Sequence, residues 1–169
     1  MFKSSEICDK KLRVWFSDFL SHREINREVF DRIPKPKLDF RMVDTETRKS
    51  DSPRESIIHI VDTTRDYVRG IQKGKVVFGF SYEDLKNPDR FSKDKLIGLL
   101  DDSSQEAYKL ACNESILQST VEAPWDKNSP VLILLSALTS HEILHVGWNL
   151  AIMDHLDIPR FQRLKDMWG

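Results

Sequence analysis

The residues best suited to chemistry in this sequence are two histidines, His141 and His145. They are four positions apart, so on a helix they lie one turn apart on the same face, where two imidazoles can bind one metal ion. On a helical wheel both fall in an apolar stripe with Leu134 and Leu138. Because buried imidazoles without partners are costly, two interpretations stay open. The histidines share a metal ion, or each bonds a carbonyl or carboxylate in the core.

Glu142 lies between these histidines, and the pattern H-E-x-x-H is also the signature of zinc metalloproteases, in which the glutamate is the general base. The longer form of that signature requires a histidine at position 151, where this sequence has Ala151. The other common form requires a later glutamate, which the sequence lacks. A protease is therefore not expected. On the wheel Glu142 points away from the histidine side, and we interpret it as a structural or supporting carboxylate.

Three other histidines, His22, His59 and His155, are candidates for a third ligand. His155 follows on the same predicted helix, but about 15 Å farther along its axis, too far to share the ion. His22 lies in a charged stretch that is typical of a surface. His59 lies on a different predicted helix, where the wheel places it beside Thr63 and Asp66 and away from the apolar face. The residues alone leave His59 either on the surface or in an interhelical cavity lined by this polar strip.

Apolar periodicity and helix-capping residues predict the elements that must position these histidines. The predicted helices cover about residues 12–33, 51–70, 92–115 and 129–156. Residues 34–51 are expected to form a long polar connection. Residues 74–80 could form a brief strand, but without a partner strand a sheet is not expected. The expected fold class is all-α, a four-helix bundle.

The composition excludes several classes of protein. The chain has 169 residues, which predicts a single domain over 1–169, and its 26 Lys and Arg against 27 Asp and Glu leave no basic excess for nucleic acid. The longest apolar run, 131–138, is far shorter than a membrane span, and the amino terminus lacks a secretory-signal pattern. Cys8 and Cys112 form neither a disulfide nor a metal-binding pattern. Reduced thiols and a cytoplasmic location are therefore expected.

Two segments together carry a resemblance to a known family. They are Ser-Ile-Ile-His-Ile at 56–60 and His-Glu-x-x-His-x-Gly at 141–147, followed by Pro159. In their order and spacing they resemble the DinB-like proteins, a bacterial superfamily that includes bacillithiol S-transferases. The resemblance implies an up-down-down-up four-helix bundle with long connections between helices 1 and 2 and helices 2 and 3. It also implies a divalent metal ion, zinc or nickel, bound by His59, His141 and His145.

The same resemblance implies a function, namely transfer of a low-molecular-weight thiol to an electrophilic substrate by a metal-dependent transferase. A metal ion would lower the pKa of such a thiol. Metal-dependent hydrolysis and a non-enzymatic, metal-binding role in stress response are the alternatives. Where the family commonly has glutamine, this sequence has Trp148, which either lines the cavity or packs. No nucleic-acid or membrane partner is expected, and a homodimer is left open.

Overall fold

The computed structural model describes residues 2 and 4–168 and is dominated by helices. In chain order the main elements are α1 (Lys10–Arg32), α2 (Pro53–Lys73), α3 (Lys93–Ala111), β1 (Thr120–Ala123), β2 (Asp126–Pro130), α4 (Val131–His155) and α5 (Gln162–Trp168). Short 3-10 turns occupy parts of the connections. The expected all-α bundle is confirmed, while the short α5 after Pro159 was not predicted.

Helix α2, which carries His59, begins at the predicted capping residues. Ser52 accepts a hydrogen bond from the backbone N–H of Glu55, and the Glu55 side chain bonds the Ser52 N–H in return. The predicted end at Gly70 was wrong by one turn, because the helix continues to Lys73 and ends at Gly74, whose φ is 79°. Gly70 has another role. A Cβ there would lie 2.6 Å from the Val76 Cα, so the returning chain can pack closely only against glycine.

The four long helices pack in a ring rather than in sequence order. α1 packs against α3 and α4, and α2 packs against α3 and α4. Consecutive helices α1 and α2 therefore lie across the bundle from each other, as do α3 and α4. This arrangement requires a long connection at 33–52, as predicted, and another at 112–130, which was not predicted. The predicted long connection between α2 and α3 is also present.

A small sheet corrects the expectation that no sheet forms. β1 and β2 pair antiparallel, with Thr120 opposite Pro130, around a turn at residues 124–125. The predicted strand at 74–80 contributes only a single parallel bridge, from Lys75 to Glu122. These strands are short and mostly polar, so they lack the alternation by which a strand is recognised in sequence.

The core consists of two apolar clusters, one on each side of a buried polar layer. One cluster is centred on Phe16, Phe19 and Leu138, and the other contains Ile57 and Met153. Trp15 is buried in the first of these clusters, and its indole Nε1–H donates to the Leu135 carbonyl at 2.8 Å.

Helix α4 is apolar over most of its length, and not all of its apolar side chains are buried. Its length and composition alone would let it cross a membrane, but it packs against α1 and α2 in the bundle, so this is weak evidence for a membrane span. Three of its apolar side chains, Ile133, Ile143 and Leu144, are exposed, whereas Val146 is buried.

Candidate metal centre

Three histidines from two helices meet at one point between α2 and α4. The Nε2 of His141 lies 3.1 Å from the Nε2 of His59 and 3.2 Å from the Nε2 of His145. One ring nitrogen from each lies within 4.8 Å of the other two. His145 is buried, His141 is partly buried and His59 is exposed. The structure thus brings together the three predicted site residues.

His59 reaches this point because the polar strip of α2 faces a cavity. Thr63 and Asp66 line the same cavity as His59 and His141. The apolar face of α2, which includes Ile60, is buried in the core on another side of the helix. The helical wheel was therefore right that His59 is exposed. It could not show that the exposed imidazole faces another histidine, because this depends on the packing of α2 against α4.

The position of His141 and His145 disfavours the protonated form of both imidazoles. Burial, together with the charges that neighbouring histidines would carry, lowers the pKa of His141 from 6.5 to about 3. The same two causes lower the pKa of His145 to about 4. Both rings are thus neutral at pH 7, and a neutral imidazole has the free lone pair that metal binding requires.

Ser56, one helical turn before His59, supports the site from behind. Its Oγ lies 3.0 Å from the Nδ1 of His145. When Nδ1 carries the proton and donates it to Ser56, the lone pair of Nε2 faces the other two histidines. The Nδ1 of His141 is buried and has no hydrogen-bond partner among the described residues. Ser56 was not identified from the sequence, although it shares a helix face with His59.

Glu142 faces away from the histidines into the buried polar layer, as the helical wheel indicated. Its carboxylate accepts two hydrogen bonds from Arg23, at 3.0 and 2.6 Å, and one from Asn26 at 3.0 Å. Arg23 also donates to Thr64 on α2 and to Ser103 on α3. We call these residues the polar brace, since they connect all four long helices: Arg23, Asn26, Thr64, Ser103 and Glu142. The Glu142 carboxylate is fully occupied here and is not available as a general base.

His22 and His155 lie outside the group of three histidines, and the position of His22 corrects an expectation. His22 is buried, not solvated; its Nε2 lies 3.5 Å from an oxygen of Asp18. It follows Trp15 and Phe19 on the same face of α1, so the helix period places it inside despite its charged neighbours. His155 is exposed at the end of α4, with its Nδ1 3.0 Å from the Ala151 carbonyl oxygen.

Two cavities adjoin the three histidines. The larger, about 640 Å³, is lined by His59, His145, Lys49, Asp51, Leu144 and Trp148, among others. The smaller, about 370 Å³, is lined by His59, His141, Asp62, Thr63, Asp66 and Tyr67, with Phe78 and Gly79. Both volumes lie near the range of small-molecule sites. Trp148 therefore lines a cavity, which was one of the two outcomes left open.

The donor set fits a divalent metal ion. Nitrogens about 2.1 Å from a tetrahedral zinc ion are separated by roughly 3.4 Å, and the two observed separations of 3.1 and 3.2 Å are slightly shorter. Three imidazole ligands with a side open to a cavity are typical of a catalytic site, because structural zinc sites are closed by a fourth protein ligand. His59, His141 and His145 are the residues that would hold such an ion.

Comparisons with known proteins support the fold. No protein-family model matches the sequence, and no curated protein matches it significantly. Among solved structures, the chain is similar to the crystal structure of a DinB-like protein, YjoA, from Bacillus subtilis. The TM-score is 0.67 at 19% sequence identity, over 88% of this chain and 94% of that chain. At this identity the similarity establishes a DinB-like fold and nothing beyond the fold.

Proposed function

We propose that this DinB-like bundle is a metal-dependent thiol transferase in which His59, His141 and His145 hold a divalent cation, zinc or nickel. The observation that carries the proposal is the convergence of three imidazoles from two helices at the junction of two cavities. A bound cation would act as a Lewis acid that lowers the pKa of a thiol. Nickel and zinc both accept imidazole ligands, so the donor set does not select between them.

The surrounding residues have separate tasks in this proposal. Ser56 orients His145, and the depressed pKa values of His141 and His145 keep these rings neutral. Leu144 and Trp148 give the larger cavity an apolar wall, which limits the water near the reacting sulfur. Two cavities provide space for two small reactants, a low-molecular-weight thiol and an electrophile. Each would reach the histidines from its own cavity.

The ligand set is tested by metal analysis of the purified protein and its variants. Replacement of His59, His141 or His145 by alanine should lower the affinity for divalent metal strongly, because two ligands replace three. Metal content is measured by mass spectrometry after dialysis against buffered zinc or nickel. His22→Ala and His155→Ala are the controls and should retain wild-type metal content. Retention of metal in all three site variants would reject the centre, whereas retention in His59→Ala alone would reject its third ligand.

Activity is tested separately, with cysteine as the thiol and 1-chloro-2,4-dinitrobenzene as the electrophile. Metal-loaded protein should accelerate thioether formation, and chelation should abolish the acceleration. A protein that binds metal but does not accelerate the reaction would instead agree with the non-enzymatic, metal-binding role. That role predicts a metal-dependent protein partner, which a pull-down with and without chelator would detect.

Metal-dependent hydrolysis is the second candidate, and one observation favours it. Asp62 lines the smaller cavity beside His59 and His141, and its carboxylate has no hydrogen-bond or ion-pair partner among the described residues. Burial, with the nearby Asp66, raises the pKa of Asp62 above its ordinary value. Such a carboxylate would accept a proton from an attacking water. Hydrolysis of p-nitrophenyl acetate that is lost in Asp62→Asn, without any thiol transfer, would favour this candidate.

A further inference from the structure

The smaller cavity has the composition of a binding site for a positively charged group. Along α2, one residue in each of three successive turns contributes an acidic or imidazole side chain to its wall: His59, Asp62 and Asp66. Of the described residues that line the cavity, none is a lysine or arginine. Two arginines of α2 lie nearby, but both contact other residues. Arg65 pairs with Asp84 and Glu106, and Arg69 stacks on the ring of Phe80.

The two carboxylates of the cavity differ in their availability. Asp66 is almost fully buried, and both of its oxygens hold the α2–α3 connection in place. One accepts from the backbone N–H of Gly79 at 2.7 Å and the other from the Tyr82 hydroxyl at 2.9 Å. Asp62 has no such partner in the described part of the chain. The charge that is free to meet a ligand is therefore that of Asp62.

Two nearly buried residues carry hydroxyl groups that lack partners in the described part of the chain, and these groups are evidence independent of the carboxylates. Thr63 is 8% exposed and Tyr67 is 6% exposed, and both line the cavity. Neither hydroxyl makes a hydrogen bond within the described residues, and neither oxygen is fully buried. Because both residues line the cavity, a polar ligand there could bond both hydroxyls.

The outer wall of the cavity is aromatic. Phe78 lines it, and its ring lies edge-on to Tyr67 with centroids 5.3 Å apart. Phe78 also stacks on Trp125, with centroids 6.4 Å apart, and both rings are substantially exposed. Aromatic faces beside a carboxylate attract ammonium groups and provide an apolar surface for the carbon atoms attached to them.

We infer that the smaller cavity binds the ammonium group of a primary amine. The three N–H donors of a primary ammonium match three acceptors, namely the carboxylate of Asp62 and the hydroxyls of Thr63 and Tyr67. The carbon skeleton then lies against Phe78. Because His59 and His141 form part of the same wall, the amine is held beside the histidine centre. That this amine is a substrate of the centre rests on the proposed function, whereas the binding of the ammonium group does not.

The test is a binding measurement with benzylammonium and its neutral analogue, benzyl alcohol, by isothermal titration calorimetry at pH 7. Wild-type protein, both as purified and after chelation, should bind benzylammonium at least tenfold more tightly than benzyl alcohol. Asp62→Asn should remove this preference and leave the affinity for benzyl alcohol unchanged. Asp51→Asn, which changes the larger cavity, is the matched control and should keep the preference.

Thr63→Val is a second test variant, because valine has nearly the same shape as threonine but no hydroxyl. It should weaken benzylammonium binding several-fold without changing the circular dichroism spectrum. Equal affinity of wild-type protein for the two compounds would overturn the inference. The inference would also be overturned if Asp62→Asn kept the preference for benzylammonium, or if Asp51→Asn lost it to the same extent. Because the chelated protein is measured directly, loss of metal binding in the histidine variants and loss of ammonium binding are independent outcomes.

Discussion

At the scale of single residues, Ser56 has the most direct effect on the site after the histidines themselves. Its hydroxyl lies 3.0 Å from the Nδ1 of His145, and when it accepts the Nδ1 proton the lone pair of Nε2 is free to face the centre. Partners of this kind orient a ligand and raise its basicity.

We expect Ser56→Ala to lower the affinity for zinc by about tenfold, the lower end of the effect measured for such partners. The His145 ring loses its orienting contact while all three ligand residues remain. The affinity is measured by competition with a chromophoric chelator. Ser140→Ala is the control, since Ser140 is next to His141 but bonds the Ser136 carbonyl of its own helix. An equal loss in both variants would contradict a specific role for Ser56.

His59 shows how far reasoning from residues alone could go. The pair His141 and His145 was recognisable because two ligands four positions apart need only one helix. The third ligand comes from a second helix. Neither the position of that helix nor its rotation about its own axis can be read from local spacing. The wheel correctly grouped His59 with Thr63 and Asp66, but only the packing of α2 against α4 shows that this polar strip lines a cavity. The resemblance to DinB-like proteins supplied the assignment that local spacing could not.

At the scale of elements, α1, α2 and α3 were predictable because each carries an apolar period and begins with a side-chain N-cap, from Asp9, Ser52 and Ser92 respectively. Helix α4 begins after Pro130 without a side-chain cap and was predictable from its long apolar sequence. The hairpin of β1 and β2 was not, because its pairing joins short polar segments. The role of Gly70 was also missed. A glycine near the end of a helical pattern suggests a terminus, whereas here it permits contact with Val76, which comes later in the chain.

Gly70→Ala should destabilise the protein, because the added methyl group meets backbone and side-chain atoms of Val76 and must displace the 74–80 segment. Gly98→Ala in the middle of α3 is the matched control. A Cβ there meets nothing within 4 Å, so the variant should be more stable by about 0.5–1 kcal/mol through helix propensity. Urea unfolding of both variants provides the comparison. A stabilised Gly70→Ala variant would show that the contact is not tight.

The polar brace determines how the four long helices depend on one another. Glu142→Ala leaves the buried guanidinium of Arg23 without its carboxylate, and breaking a buried ion pair in this way costs about 3–5 kcal/mol. The control is Asp101→Ala, which breaks an exposed pair with Arg27 between α1 and α3 and should cost less than about 1 kcal/mol. The free energies of unfolding are measured by urea titration. Similar losses in the two variants would mean that the brace adds little beyond a surface ion pair.

At the scale of the whole molecule, the site makes stability depend on pH. The pKa of His141 is about 3 and that of His145 about 4 in the folded protein, against 6.5 for an unperturbed histidine. At pH values between the folded-state and the unperturbed pKa of these histidines, the unfolded chain binds more protons than the folded chain. The free energy of unfolding therefore decreases as the pH falls below about 6.5.

For the metal-free protein we expect a decrease of up to about 1.4 kcal/mol per pH unit for each of these two histidines. Urea unfolding at pH values from about 7 to 5 measures the slope. Replacement of both His141 and His145 by glutamine should flatten it, while His155→Ala, at an exposed position, should not. A slope that is unchanged in the double variant would assign the pH dependence to other groups.

The exposure of His59 also has a consequence for the lifetime of a bound ion. His141 and His145 share one helix and are shielded by the bundle, whereas His59 belongs to α2 and can be reached by water and competing ligands. Exchange would begin where a competitor has access, by release of His59, while the pair on α4 retains the ion. All three histidines contribute to the affinity, but access to the exposed ligand sets how quickly a competitor can remove the ion. A substitution that covers His59 would therefore lengthen the residence time of the ion.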